Sequence, residues 1–486
     1  MTVLALPALR GFVSPRWPAF PPYAGEKTSR ARRCLAGWLV ALLGLCSMAP
    51  AWAAPLQAAA DAASNHTAGM QIQVGQASHL LTGPWHFRLG DDKRWATPDF
   101  DASTWETVDL APAPGAHDAD VGFLNYVPGW WARGHEGYTG YAWYRMHVSV
   151  DAPAGARLAL LAPTSVEDAY QVFWNGRLIG GAGDFSGRTP DIHSTRPQVF
   201  PLPSEAANVD DAVIAIRVWM RKGLARLPDA GGIHIAPMLG TGEAIDAQYK
   251  LQWLQTVKGY VVEVAEPLAF VLLAILAWCF RTTVLPTRFV GWLCTALLLT
   301  AVYRLNQAVY SWTAYENLST YFVVHWALIP LGLAAWLMTW RHWYQLERWR
   351  WLSYAIGAAA LLGVVLVLTL PHDMFAMLSP IWRIPMAIVL LGTAIVGLRK
   401  RRPDRWLALV VVLSVAVSQF SGELAAMGVP YIWFPFGTGV SLTQYAYAAI
   451  IVSLTALVIR QVRRAVADTP RRADASAGSG EATSVV

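Results

Sequence analysis

Charge is scarce in this sequence. Only 14% of its 486 residues are Asp, Glu, Lys or Arg, where a soluble domain carries roughly 25%. With 55% hydrophobic residues and a mean hydropathy of +0.34, so little charge excludes one large soluble protein. The formal net charge of +6 is too thinly spread to hold a nucleic-acid partner. Cysteine is also rare: Cys34, Cys46, Cys279 and Cys294 are all there are. None falls within 55–250, which excludes a disulfide or a thiolate metal site there. A Gly-x-Ser-x-Gly elbow and a His-Glu-x-x-His helix are missing as well. The glycines of Gly180-Gly-Ala-Gly-Asp-Phe-Ser-Gly-Arg188 have no strand–loop–helix context and no following Lys-Ser/Thr, so they do not form a phosphate loop. The chain is therefore expected to be non-enzymatic, without cofactor or metal.

What is present divides in order along the chain. Arg10, Arg16, Lys27, Arg30, Arg32 and Arg33 precede an apolar run from Leu35 to Leu45 and the small residues Ala49–Ala54. That is the pattern of a secretory signal peptide, or of an uncleaved signal anchor, over 1–54. Residues 55–250 have the composition of an exported soluble domain, with its core at 75–240. Residues 251–465 are nearly continuous apolar sequence. Residues 466–486, rich in Ala, Ser, Gly and Glu, read as a disordered cytoplasmic tail.

The exported part reads as all-β. Tyr141–Val150 alternates apolar and polar residues, and Ala156–Leu161, Ala169–Trp174 and Ala212–Trp219 are further strand signals. Asn175-Gly176 between Trp174 and Arg177 predicts a tight hairpin. The stretch Asn125–Tyr138 is the candidate ligand-binding loop. Tyr126, Trp130, Trp131 and Tyr138 offer stacking area, and Arg133, His135 and Glu136 could orient a hydroxylated ligand. The same aromatics could equally cap a sandwich core. Asp184, Arg188, Asp191 and His193 read as solvated loop residues, and His117, Asp118 and Asp120 as a weak cation signal.

Leu81-Thr-Gly-Pro-Trp85, Trp95, Phe100–Trp105, Gly140-Tyr-Ala-Trp-Tyr-Arg145 and Val172-Phe-Trp-Asn-Gly-Arg177 together carry a resemblance. This region resembles the galactose-binding-like jelly roll of family 2 glycoside hydrolases, where it is the sugar-binding domain. The same fold is similar to the extracellular sensory domain of bacterial seven-transmembrane receptors with diverse intracellular signalling modules. The resemblance implies a carbohydrate or glycan ligand.

Seven apolar segments can be drawn, at about 259–280, 287–303, 320–340, 351–370, 381–398, 405–426 and 439–460. Basic residues concentrate in 281–288, 341–350, 399–405 and 460–464. By the positive-inside rule those loops face the cytoplasm, with the all-β part in the periplasm of a bacterial inner membrane and the C-terminus inside. An all-β module followed by an all-α seven-transmembrane bundle matches the domain order of the receptor family. The family's kinase, cyclase or phosphatase module has no counterpart in the sequence, so signalling would need a separate cytoplasmic or membrane protein. Arg304, His325, Gln419 and Glu423 are candidates for coupling the module to the bundle. Glu263, Glu316 and Arg383 are expected to be solvated helix ends. Two other functions stay open: an accessory subunit of an envelope polysaccharide complex, and a transporter. Expected contacts are a glycan, membrane lipid and a protein partner.

Overall fold

The computed structural model describes residues 70–73, 78–153, 155–193, 196–222, 229–281, 285–313, 317–400 and 404–481. The leader at 1–54, with Cys34 and Cys46, and Glu316 lie outside them. A β-sheet region ends at Thr241 and a helical region follows from Gly242.

Two sheets face each other in the β region. The larger has seven strands, with Glu106–Val108, Trp85–Leu89, Gly140–Asp151, Asn208–Met220, Ala169–Trp174 and Arg177–Ala182 in that spatial order; Met70–Gln73 runs parallel to Gly140–Asp151. The smaller is ordered Val199–Pro201, Leu158–Leu161, Met238–Thr241, Ser78–Leu80. Successive side chains of a strand point to opposite faces. So Ala142, Tyr144, Met146 and Val148 join Ile214, Ile216, Tyr170 and Val172 in one core with Leu158, Leu160 and Leu239 of the other sheet. The odd-numbered residues point outwards, where Trp143, Val213 and Ala215 meet Trp95, Phe100 and Trp105. Arg145 lies on that outer face, fully buried without a carboxylate partner. Its guanidinium donates to the carbonyls of Trp95, Thr97, Pro98 and Phe100 at 2.8–3.2 Å. The Trp–Tyr–Arg strand thus pins the tryptophan-rich segment onto the sheet. Asn175 (φ +46°) and Gly176 (φ +80°) make the tight turn between Trp174 and Arg177; two successive positive φ values suit Asn-Gly.

The helices are α1 Gly242–Tyr260, α2 Val262–Cys279, α3 Thr287–Trp312, α4 Leu318–Trp343, α5 Arg350–Thr369, α6 His372–Leu378, α7 Pro380–Arg399, α8 Arg405–Gln419, α9 Ser421–Ala426 and α10 Leu442–Glu481. Six helical stretches among the described residues are long and apolar enough to cross a membrane; α1 and α2 form one of them. The chain is a membrane protein on that ground.

Four sequence expectations are corrected. The domain boundary near 250 falls inside α1, which is capped by Thr241, whose hydroxyl accepts the Ala244 N–H at 3.4 Å. Ile245 on α1 packs against Ala159 and Leu161, so this helix covers the outer face of the smaller sheet. The second span continues past 303 to Trp312, because Arg304 finds buried partners. The span expected at 405–426 is broken: α8 has 15 residues, about 22 Å of helix. It ends where Arg383 Nη2 donates to the freed Gln419 carbonyl at 2.8 Å. Finally, the stretch expected to be disordered from 466 continues α10 to Glu481. Alanine-rich sequence extends an existing helix at little cost, since only nucleation is unfavourable.

Candidate functional site

Most polar side chains of the loop 125–138 bond to other groups of the protein. Trp130 is 1% exposed, in the sandwich core near Phe87 and Tyr144. Half-buried Trp131 donates its indole N–H to the Tyr138 carbonyl at 2.8 Å. Tyr138 donates its hydroxyl to the Tyr141 carbonyl at 2.7 Å, and Arg133 donates to the carbonyls of Pro128 and Asp109 at 3.1 and 2.8 Å. His135 Nε2 lies 2.7 Å from Glu106. Tyr126 stacks on His234 at 5.0 Å and donates to Asp229 at 2.9 Å. Glu136 is exposed. The loop's aromatic and polar side chains are thus largely engaged with neighbouring protein groups.

A group of titratable residues lies beside Tyr126. Glu167 accepts the Gly231 N–H and lies 3.6 Å from His234 Nε2. Burial pushes its carboxyl up, but His234 and the Gly231 N–H together hold it below its ordinary range. Asp168 accepts the Arg221 N–H at 2.7 Å, yet burial, reinforced by the neighbouring Glu167 charge, pushes its carboxyl up to about 6.

The densest polar contacts join the β region to the helices. Asp118 is buried, and its carboxylate accepts the backbone N–H groups of Asp120, Val121, Gly122 and Phe123. Those bonds use its oxygens, so the cation signal at His117, Asp118 and Asp120 becomes a loop-shaping device. The folded loop meets two elements of the helical region. Gln255 of α1 donates to the Val121 carbonyl at 2.7 Å and the Gly437 carbonyl at 3.3 Å, while Tyr260 donates to Asp120. Contact is backbone-close: a Cβ on Gly259 would collide with Val121, and one on Gly439 with the Asp120 carbonyl.

A second contact lies at the start of α4. Asn317 donates to Asp191 at 2.7 Å, the Leu318 N–H donates to the Ile192 carbonyl at 2.7 Å, and His193 bridges to Asn317. Ile192 and Trp219 pack with Leu318 and Tyr321. Asp191 and His193, read from sequence as solvated, are therefore part of the joint. What engages them is a partner more than a hundred residues away.

Directly below the joint lie buried charges. Arg304 donates to Glu266 at 2.8 Å and to Glu263 at 2.7 Å, and Gln444 donates to Glu263 at 2.7 Å. Arg383 donates to Glu423 at 2.8 Å. Tyr303 and His325 lie 3.2 Å apart, and Tyr321 donates to Gln307. Of the four coupling candidates, Arg304, His325 and Glu423 make side-chain polar contacts here, and Gln419 takes part through its backbone carbonyl. The expectation that Glu263 and Arg383 are solvated is corrected: they are 5% and 8% exposed, because each has a countercharge on a neighbouring helix. The coupling candidate Glu423 has a half-exposed side chain.

The opposite end carries a cluster that sequence reading missed. Asp404, 3% exposed, accepts from Gln461 at 2.8 Å and from Arg464, with Arg460 3.9 Å away. A lone acid within the basic run 399–405 was the only available signal.

No protein-family model and no curated protein matches the chain. Similar solved structures include a β-glucuronidase from glycoside hydrolase family 2, at 18% identity and a TM-score of 0.25, covering 34% of this chain and 17% of that one. A β-glycosidase from Bacteroides vulgatus is 19% identical with a TM-score of 0.23, over 33% and 20%. Faecalibacterium prausnitzii β-glucuronidase is 17% identical with a TM-score of 0.21, over 33% and 31%. The chain thus spans less than a third of each of these relatives.

Proposed function

We propose that this chain is a non-enzymatic receptor of a bacterial inner membrane. In this reading 55–250 is a periplasmic galactose-binding-like jelly roll, with 251–465 a seven-span bundle whose shortest span is α8. The C-terminus is cytoplasmic. A carbohydrate or glycan binds the jelly roll, and a separate cytoplasmic protein reads the bundle. The observation that carries the proposal is the joint. The loops at 118–123 and 191–193 hydrogen-bond to α1, to 437 and to the start of α4, immediately above the Arg304–Glu263–Glu266 cluster. A loosely tethered module would leave such loops solvated. Interlocked backbone of this kind transmits a displacement into α2, α3 and α4, provided the ligand binds the two arrangements unequally.

The test is hydrogen exchange on the full-length protein in lipid nanodiscs, with and without soluble cell-wall glycan fragments. Binding should change protection at 317–321 and 432–441. A glycan that binds while exchange changes only within the β region would overturn the relay.

A second reading is favoured by one observation, the bonding of most polar side chains of the loop 125–138 to neighbouring protein groups. If that loop serves packing alone, the module docks on a neighbouring subunit of an envelope complex. A stoichiometric membrane protein co-purifying with the chain, with no glycan binding, would establish that alternative.

A further inference from the structure

A cavity of ≈ 340 Å³ opens where the β region meets the side of the bundle. Its wall is apolar: Phe322 and Trp326 from α4, Val367 and Leu370 from the end of α5, and Phe375 from α6. The other side is cationic. Arg221 and Lys222 extend from the end of the strand Asn208–Met220 and line the same space. The Arg221 N–H is held by Asp168, and its guanidinium lies 5.5 Å from the Phe322 ring. Ser319, in the first turn of α4, also lines the cavity, so the positive end of a 26-residue helix adds to the cationic side.

The apolar side merges with exposed apolar surface of the candidate spans. Val323, which lines the cavity, is 42% exposed, and Leu368 on α5 is 63% exposed. Both lie on helices long and apolar enough to span a membrane, and only 22% of the α5 span is buried. The volume is near the lower end of ligand pockets, roughly 300–1,000 Å³. It accommodates a headgroup with the top of one chain, not a whole diacyl lipid. A free sugar would find few groups here to satisfy its hydroxyls. An anionic group joined to an alkyl chain matches both sides at once.

We propose that this cavity binds an anionic phospholipid from the surrounding bilayer. Its phosphate pairs with Arg221 and Lys222, and its chain leaves past Val323 and Leu368. The inference rests on the membrane location of the helices and is independent of the receptor reading. It adds a lipid contact to the joint, because Arg221 follows directly from the strand that carries Trp219.

The test uses native mass spectrometry of delipidated full-length protein in mixed micelles of phosphatidylglycerol and phosphatidylcholine. Two cations near the surface should give about a 30-fold preference for phosphatidylglycerol. Arg221→Gln with Lys222→Gln should bring the preference close to parity. Val367→Trp, which fills the cavity and keeps both charges, should lower phosphatidylglycerol retention about tenfold. Dodecyl phosphate serves as the soluble anionic amphiphile. Its retention where phosphatidylglycerol is not retained would overturn the bilayer source. No headgroup preference in the wild-type protein would overturn the proposal without any variant. Survival of the preference in both variants would place the lipid elsewhere and overturn it as well.

Discussion

Arg304→Met is the most informative single perturbation of the bundle. Methionine approximates the length of the arginine stem but removes the guanidinium that donates to Glu263 and Glu266. The three side chains are 9%, 6% and 7% exposed, so water cannot replace the lost partner. Removing one member of a buried ion pair typically costs about 3–5 kcal/mol, because the remaining charge stays buried and unpaired. Two carboxylates depend on this arginine, which puts the expected loss in the upper half of that range. At ~2–4 °C per kcal/mol for a body of this size, the melting temperature should fall by roughly 8–20 °C. The triple variant Arg304→Met, Glu263→Gln, Glu266→Gln removes all the charge. It should recover most of the loss, retaining a deficit of about 1–2 kcal/mol from imperfectly bonded amides. The assay is intrinsic-fluorescence melting of purified protein in one detergent, for which the 24 tryptophans are ample. A fall below about 3 °C for the single variant, or a triple variant as unstable as the single, would refute the cluster's dependence on Arg304.

Three further outcomes are expected. Arg145→Lys keeps the charge but loses the planar fork that reaches four carbonyls, and should cost about 2–4 kcal/mol; limited proteolysis of the full-length protein should then cut within 91–105, and an uncut segment would contradict the pinning. Asp168 has its folded carboxyl raised to about 6, above its ordinary value, so its protonated form is favoured in the fold and the associated stability is lost as pH rises from about 4 to 6. Asp168→Asn should therefore gain melting temperature over wild type across that window, by the equivalent of about 1 kcal/mol, and hold the gain above it; a pH-independent difference would count against this. Gly259→Leu should wedge α1 from Val121 at about 1–3 kcal/mol and raise hydrogen exchange at 118–123; unchanged exchange there would mean that the joint does not depend on this close approach.

Much of the fold was legible because its causes are local. The alternation in Tyr141–Val150 is the period of a strand, and Asn175-Gly176 is a turn set by two residues' own φ preferences. The Arg133, His135 and Tyr138 contacts were not legible, since the same residue types would serve a ligand or a packed loop equally well. Arg145 stands out in the sequence as part of a motif, but its four carbonyl partners belong to another segment. Glu263 and Arg383 were misread because hydropathy scores each position against its neighbours in sequence, whereas their countercharges lie on other helices.

The sequence by itself determined that apolar helices follow a β module, since hydrocarbon leaves the backbone only helices or closed barrels and apolar runs of about 20 residues suit the helix. It also placed the ionisable residues that matter at one end of those helices. Only the tertiary structure decided what they do there. Whether a buried charge is paired, and whether a loop is solvated or locked, depends on distances between segments far apart in the chain. The loop at 118–123 seated against Gly259 and Gly439 exists only once the module rests on the bundle, and Arg304 held between two glutamates only once two helices pack together.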